Sequence, residues 1–124
     1  MRNLRNLSGV VRLPEPCRLR KPNVTVQVVD ASIMDATPAI LAETRFESAA
    51  AGRREIPFVL NAPADGLAGR DIRIIARVMA RSRGNIAPGD YLTMESVRFA
   101  PDEQSGRPLE VPVSRVKDPD QSVE

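Results

Sequence analysis

The chain is predicted to be all-β, a small antiparallel β-sandwich of about seven short strands, and three observations predict it. First, apolar and polar residues alternate at period two in one segment after another. The clearest is 71–80, where Ile72, Ile74, Ala76 and Val78 share one parity while Arg73, Arg77 and Arg81 fall on the other. Such alternation gives a strand one apolar face and one polar face. Second, Gly, Pro, Asn and Asp clusters separate these segments at fairly even spacing, as sandwich folds require. Third, 124 residues make one domain, which buries roughly two-thirds of its unfolded surface and so holds a single core. The domain is expected over 7–116, after a short lead (1–6) and before a disordered tail (117–124) that has little to bury.

Leu7 to Leu13 is the first strand, with Leu7, Gly9, Val11 and Leu13 on one parity and Pro14 and Pro16 ending it. A basic, proline-flanked loop from Cys17 to Pro22 leads to Asn23–Asp30, where Val24, Val26 and Val28 point one way and Thr25, Gln27 and Val29 the other. Ala39 to Glu47 is the third strand. A helix is its rival, since Ala, Leu and Glu favour one, but the turn at Gly52 running straight into another strand suits short β elements better. Arg54 to Asn61 is the fourth, with Ile56, Phe58 and Leu60 inward. Pro57 has no N–H to give, which puts this strand at a sheet edge or a bulge. A loop over 62–69, with room for one helical turn, precedes the fifth strand, 71–80. A turn-rich loop from Arg81 to Asp90 follows it. Tyr91 to Phe99 is a sixth strand in which neither parity is purely apolar, the mark of a bulge. A polar turn over 102–108 then leads to a last strand carrying Leu109, Val111 and Val113 on one parity.

The core has to be aliphatic. Aromatics are 3% of the chain, limited to Phe46, Phe58, Tyr91 and Phe99, with no Trp.

Composition excludes several functions. Histidine is absent, which removes the usual general base near neutral pH and the commonest transition-metal ligand. The single Cys17 has no partner for an internal disulfide and no His to activate it. It reads as a spare surface or half-buried thiol whose replacement by Ser should cost less than about 1 kcal/mol. A net charge of +2 is mild. Arg70, Arg73, Arg77, Arg81 and Arg83 do form a positive stripe, but no aromatic lies between residues 59 and 90 to stack on bases. The stripe is therefore a solvated sheet face, and no nucleic acid partner is expected. Nothing in the sequence calls for a cofactor. No apolar run approaches a membrane span, and the first residues lack the apolar region of a signal peptide. As written the chain is expected in the cytoplasm, or in the periplasm or at the outer membrane if its start has been trimmed.

The leading functional reading is a non-catalytic module that binds a partner polypeptide. Its candidate surface is the outward side of the fifth strand, where Ile75 and Met79 lie among Arg73, Arg77 and Arg81, because Arg and Met are enriched in interface cores. The competing reading covers Ile75 and Met79 with the second sheet or a loop. A structural subunit of a larger assembly is a second alternative. An enzyme is a third, and it would have to work with Asp30, Asp35, Glu43, Asp90, Glu95 and Tyr91, whose spacing argues for no paired-carboxylate cleft. Asp30 and Asp35 hint at calcium, but the apolar Ile33 and Met34 between them favour loop capping.

The block Asn-Val-Thr-Val-Gln-Val-Val-Asp-Ala-Ser (23–32), Ala-Glu-Thr (42–44), Ile-Pro-Phe-Val-Leu (56–60) and Ile-Arg-Ile-Ile-Ala-Arg-Val (72–78), in that order, resembles the YscW/YbaY-type family of type III secretion lipoprotein chaperones, or pilotins. The resemblance covers about residues 7–116. It implies a small non-enzymatic β-sandwich which, in secretion-associated members, escorts a secretin subunit to the outer membrane. Two features depart from the family. Cys17 follows Leu-Pro-Glu-Pro, without the small residues or apolar run that acylation needs. The charged stretch from Arg81 to Met94 is also long for the family's turn.

Overall fold

The computed structural model describes residues 4–32, 37–63, 69–81, 84–94, 97–98 and 109–117. These form nine strands: β1 (Leu4–Arg12), β2 (Asn23–Asp30), β3 (Ala39–Glu47), β4 (Glu55–Pro63), β5 (Ile72–Met79), β6 (Tyr91–Leu92), β7 (Val97–Arg98), β8 (Leu109–Pro112) and β9 (Ser114–Arg115). The described residues contain no helix. Two sheets result, one of three strands in the order β4-β1-β8 and one of six in the order β3-β2-β5-β6-β9, with β7 also on β5. The fold is the small β-sandwich that the alternation predicts.

Each sheet gives one face to a shared core. Leu7, Val11, Ile56, Phe58, Leu60, Leu109 and Val111 come from the smaller sheet, and Val24, Val26, Val28, Ile72, Ile74, Ala76, Val78 and Tyr91 from the larger. Val26 and Ile74 are both fully buried, as their parity requires. The two pair through β2 and β5, with Val26 opposite Ala76 and Val28 opposite Ile74.

Ala39–Glu47 is a strand with the bounds read from sequence, so pairing with β2 overrides its helical propensity. Pro57 lies on β4, which among the described residues pairs only with β1 and so forms a sheet edge. The Tyr91–Phe99 strand divides into β6 and β7, both held by β5. The last strand also divides: β8 joins the smaller sheet and β9 the larger, the chain crossing between them at Val113. Among the described residues all pairings are antiparallel except β1–β8, which is parallel. Strands β2 to β7 lie in the chain between β1 and β8, more than the long connection that a parallel neighbour needs.

Cys17 departs from its reading as a surface or half-buried thiol. It is 4% exposed and belongs to the core. Its N–H donates to Arg53 O at 2.8 Å and its C=O accepts from Gly52 N at 2.9 Å, so the loop is stitched to the turn before β4 and its side chain is drawn inward. The expected helical turn over 62–69, the polar turn over 102–108, Phe99 and the tail from 118 lie wholly or largely outside the described residues.

Candidate functional site: the outward face of the six-stranded sheet

The register of β3, β2 and β5 sets this face row by row. Ile40, Val29 and Arg73 form one row, Glu43, Gln27 and Ile75 the next, and Arg45, Thr25 and Arg77 the third. The β2–β3 pairing shifts between Val28 and Val29, leaving Leu41 as an extra residue on β3. This bulge keeps Ile40 beside Val29 on the outward side while Leu41 packs against the core.

A hollow of about 410 Å³ lies here, floored by Gln27, Val29 and Ile75 and walled by Ile40, Arg73 and Arg77, with Ala31, Thr37 and Pro38 closing one end. Such a volume is within the range of roughly 300 to 1,000 Å³ usual for ligand-sized pockets. Val29 is 5% exposed and Gln27 9%, yet neither belongs to the inter-sheet core. They form a second, shallower packed layer on the outside of the sheet. Ile40 beside them is 57% exposed, so the hollow is open to solvent on that side.

Charge is distributed unevenly around it. The Gln27 amide donates to Glu43, which also accepts from Arg45 Nε at 2.8 Å. The Gln27 hydrogen bond first, and then Arg45 and Arg77, hold the Glu43 carboxyl below its usual range. Arg73 pairs with Asp71 at 3.1 Å, and Arg98, opposite Arg73 on β7, reaches the same carboxylate at 3.9 Å. Arg77 is exposed and forms no ion pair among the described residues. Of the charged side chains on these rows and their immediate flanks, the four arginines Arg45, Arg73, Arg77 and Arg98 face three acids, Glu43, Asp71 and, one row beyond Arg45, Glu47.

Of the residues singled out in the sequence, Arg73, Ile75 and Arg77 do meet around this hollow. Arg81 lies just beyond the end of β5 and is exposed. Met79 is 9% exposed and does not join the open face. It stands opposite Asn23 where β5 ends, and alternation along one strand does not register what its neighbours place over a strand end. Gln27, Val29 and Ile40 were not singled out. Their signal was the apolar Val29 on the polar parity of β2, which a fully solvated face would not carry.

The other chemically capable groups have structural partners. Asp30 accepts from Ser32 N at 3.0 Å, from Ser32 Oγ and from Arg70 Nη1 at 3.0 Å. The Ser32 bonds, with Arg70 adding, hold its carboxyl low. That is loop capping, as read. Asp90 is buried and accepts from Ala80 N and Ala87 N at 3.0 and 2.8 Å. The ring of Tyr91 is buried, and its hydroxyl donates to Glu15 at 3.1 Å while accepting from Arg18 N at 3.4 Å. Asp35 and Glu95 lie outside the described residues. Among the described residues no cluster of His, Cys, Asp or Glu could hold a metal ion, and no helix is long and apolar enough to cross a membrane.

No protein-family model matches the chain, and no curated protein sequence does. A solved structure does match: an alternative pilotin from the type II secretion system of Vibrio cholerae, with a TM-score of 0.73 at 18% sequence identity. The match covers 94% of this chain and 100% of that one. At this identity the likeness shows the fold, and the fold is pilotin-like.

Proposed function

We propose that the chain is a non-catalytic, pilotin-like binding module that captures a partner polypeptide in envelope or secretion assembly, with a secretin subunit as the partner. The end-to-end likeness to the Vibrio cholerae pilotin carries this reading, an argument by analogy of fold that the site has to support. An open, concave sheet face with an apolar floor and arginine walls supports it, since such faces suit protein contacts. The engagement of Asp30, Glu43 and Asp90 in structural hydrogen bonds supports a binding role over carboxylate catalysis. The specific assignment to YscW/YbaY-type chaperones, to type III secretion and to an envelope location belongs to the same proposal. Immobilised wild-type protein should retain the secretin subunit encoded in the same genome, and deleting the gene should leave less secretin assembled in the outer membrane. A secretin neither retained nor affected by the deletion removes the reading.

A further inference from the structure

We infer that the hollow on the outward face selects an acidic, apolar peptide segment: an aliphatic side chain seated over Val29 and Ile75, with a neighbouring carboxylate on Arg77. The inference rests on the binding role proposed above and adds what the site recognises and where.

Three features of this face lead to it. The floor is concave and mostly apolar, with Val29 and Ile75 beside the Gln27 side chain and the exposed Ile40 at the rim. An aliphatic side chain placed there loses water on several sides at once, which neither a flat charged surface nor bulk solvent offers. The walls carry an unbalanced positive charge. Glu43 is engaged by Gln27 and Arg45, and Asp71 is shared by Arg73 and Arg98. Arg77 borders the hollow near Glu43 but in no ion pair among the described residues. An incoming carboxylate would find a planar donor fork already in position, whereas a basic segment would meet repulsion. Finally, the hollow is small and no aromatic ring lines it. Base stacking therefore has no platform, and an extended lipid surface would engage a protruding basic patch more readily than a recess. A peptide is the anionic partner whose side chains fit the recess one at a time.

Fluorescence anisotropy with labelled synthetic peptides tests this. The probes are one peptide built around Glu-Leu-Leu-Glu, and counterparts with Gln-Leu-Leu-Gln, Lys-Leu-Leu-Lys and Glu-Ser-Ser-Glu at the same positions. Wild-type protein at low salt should bind the first at least tenfold more tightly than each of the others, and added salt should erode that preference. Arg77→Gln should abolish the advantage of Glu over Gln. Arg77→Glu should reverse the order of the Glu and Lys peptides, and Ile75→Asp should remove binding of all the Leu-containing peptides. Circular dichroism should show every variant folded, and Arg77, exposed and unpaired among the described residues, can be changed without loss of a structural bond. Equal binding of the acidic and basic peptides, or an unchanged preference in Arg77→Glu, overturns the inference. Arg77-dependent binding of phosphatidylglycerol vesicles as tight as that of the acidic peptide overturns it in favour of an anionic lipid surface. The two readings also separate. Secretin captured equally by wild type and Arg77→Glu places the capture elsewhere and sinks only this inference. Arg77-dependent peptide selection without secretin capture keeps it and removes the secretin.

Discussion

Gly9 lies on β1 between β4 and β8, and a Cβ there would overlap the Leu109 carbonyl oxygen and come within 2.8 Å of Leu109 Cβ and 2.9 Å of Phe58 Cζ. Two of those obstacles belong to the parallel neighbour β8, whose backbone cannot yield without breaking the pairing. Gly9→Ala should therefore destabilise by about 1 to 3 kcal/mol through overpacking, read as a lower urea midpoint with an unchanged slope. A midpoint equal to wild type would mean that β1 and β8 do not approach in this way. Cys17 and Tyr91 make a second case at this scale. Burial, the largest cause for each, raises the thiol above its ordinary 9.0 and the phenol above its ordinary 10.0. Above those ordinary values the folded chain keeps protons that the unfolded chain has released, so the linked stability is complete below 9.0 and is lost as pH rises through the raised values. Melting temperature should fall on the alkaline side, beginning near 9.0, and Cys17→Ala should delay the onset. The same onset with and without the thiol would assign the loss to other groups. Cys17→Ser should now cost about 1 to 3 kcal/mol, the price of a buried hydroxyl.

Adjacent residues of β5 test the strand itself. Ile74 is fully buried between the sheets, whereas Ile75 faces the outer hollow. Ile74→Ala should cost about 2 to 5 kcal/mol through lost transfer energy and a cavity. Ile75→Ala should stay below about 1 kcal/mol in the free protein, and the difference is measurable by chemical denaturation. Equal losses at both positions would mean that the outward side is already covered. How far the sequence shows such elements depends on what the signal encodes. Parity along one strand places Ile74 and Val26 correctly because each strand's faces alternate on their own, and Pro57 marks an edge because a missing N–H is a property of one residue. The parallel β1–β8 pair is not written in either strand, since nothing local records which distant segment will lie alongside. The hollow is the same kind of object. It draws Val29 from β2, Ile40 from β3 and Ile75 from β5, and it depends on a bulge at Leu41 whose only function is to reset register between two strands. One strand shows Arg73, Ile75 and Arg77, but three are needed to show a site. Cys17 fails for that reason too, because it is tied to Gly52 and Arg53, distant in sequence.

Neither sheet of this molecule can cover its own apolar face. Three strands on one side and six on the other share a single core, and the chain passes between the sheets at Val113, which is itself buried. Val113 N also donates to Arg12 O at 3.0 Å, tying the crossing to β1. Loss of either sheet would expose the inner face of the other, so the stable species are the whole sandwich and the unfolded chain, as in most small single domains. The pairing of β1 with both β4 and β8 brings together segments far apart in the chain, and that topology implies folding in milliseconds to seconds rather than microseconds. Val111 in the smaller sheet and Val26 in the larger, both fully buried, test the coupling. Each Val→Ala change should lower stability by about 1 to 4 kcal/mol, and each should move one shared transition. Urea unfolding followed by far-ultraviolet circular dichroism, which sees both sheets, and by the fluorescence of Tyr91, the single tyrosine, which sits in the larger sheet, should give coincident curves. The slope in urea should be the same for wild type and both variants, because the surface exposed on unfolding is the same. If Val111→Ala lowers the dichroism midpoint while the Tyr91 midpoint stays at its wild-type position, the larger sheet stands without the smaller, and the sandwich is two units instead of one.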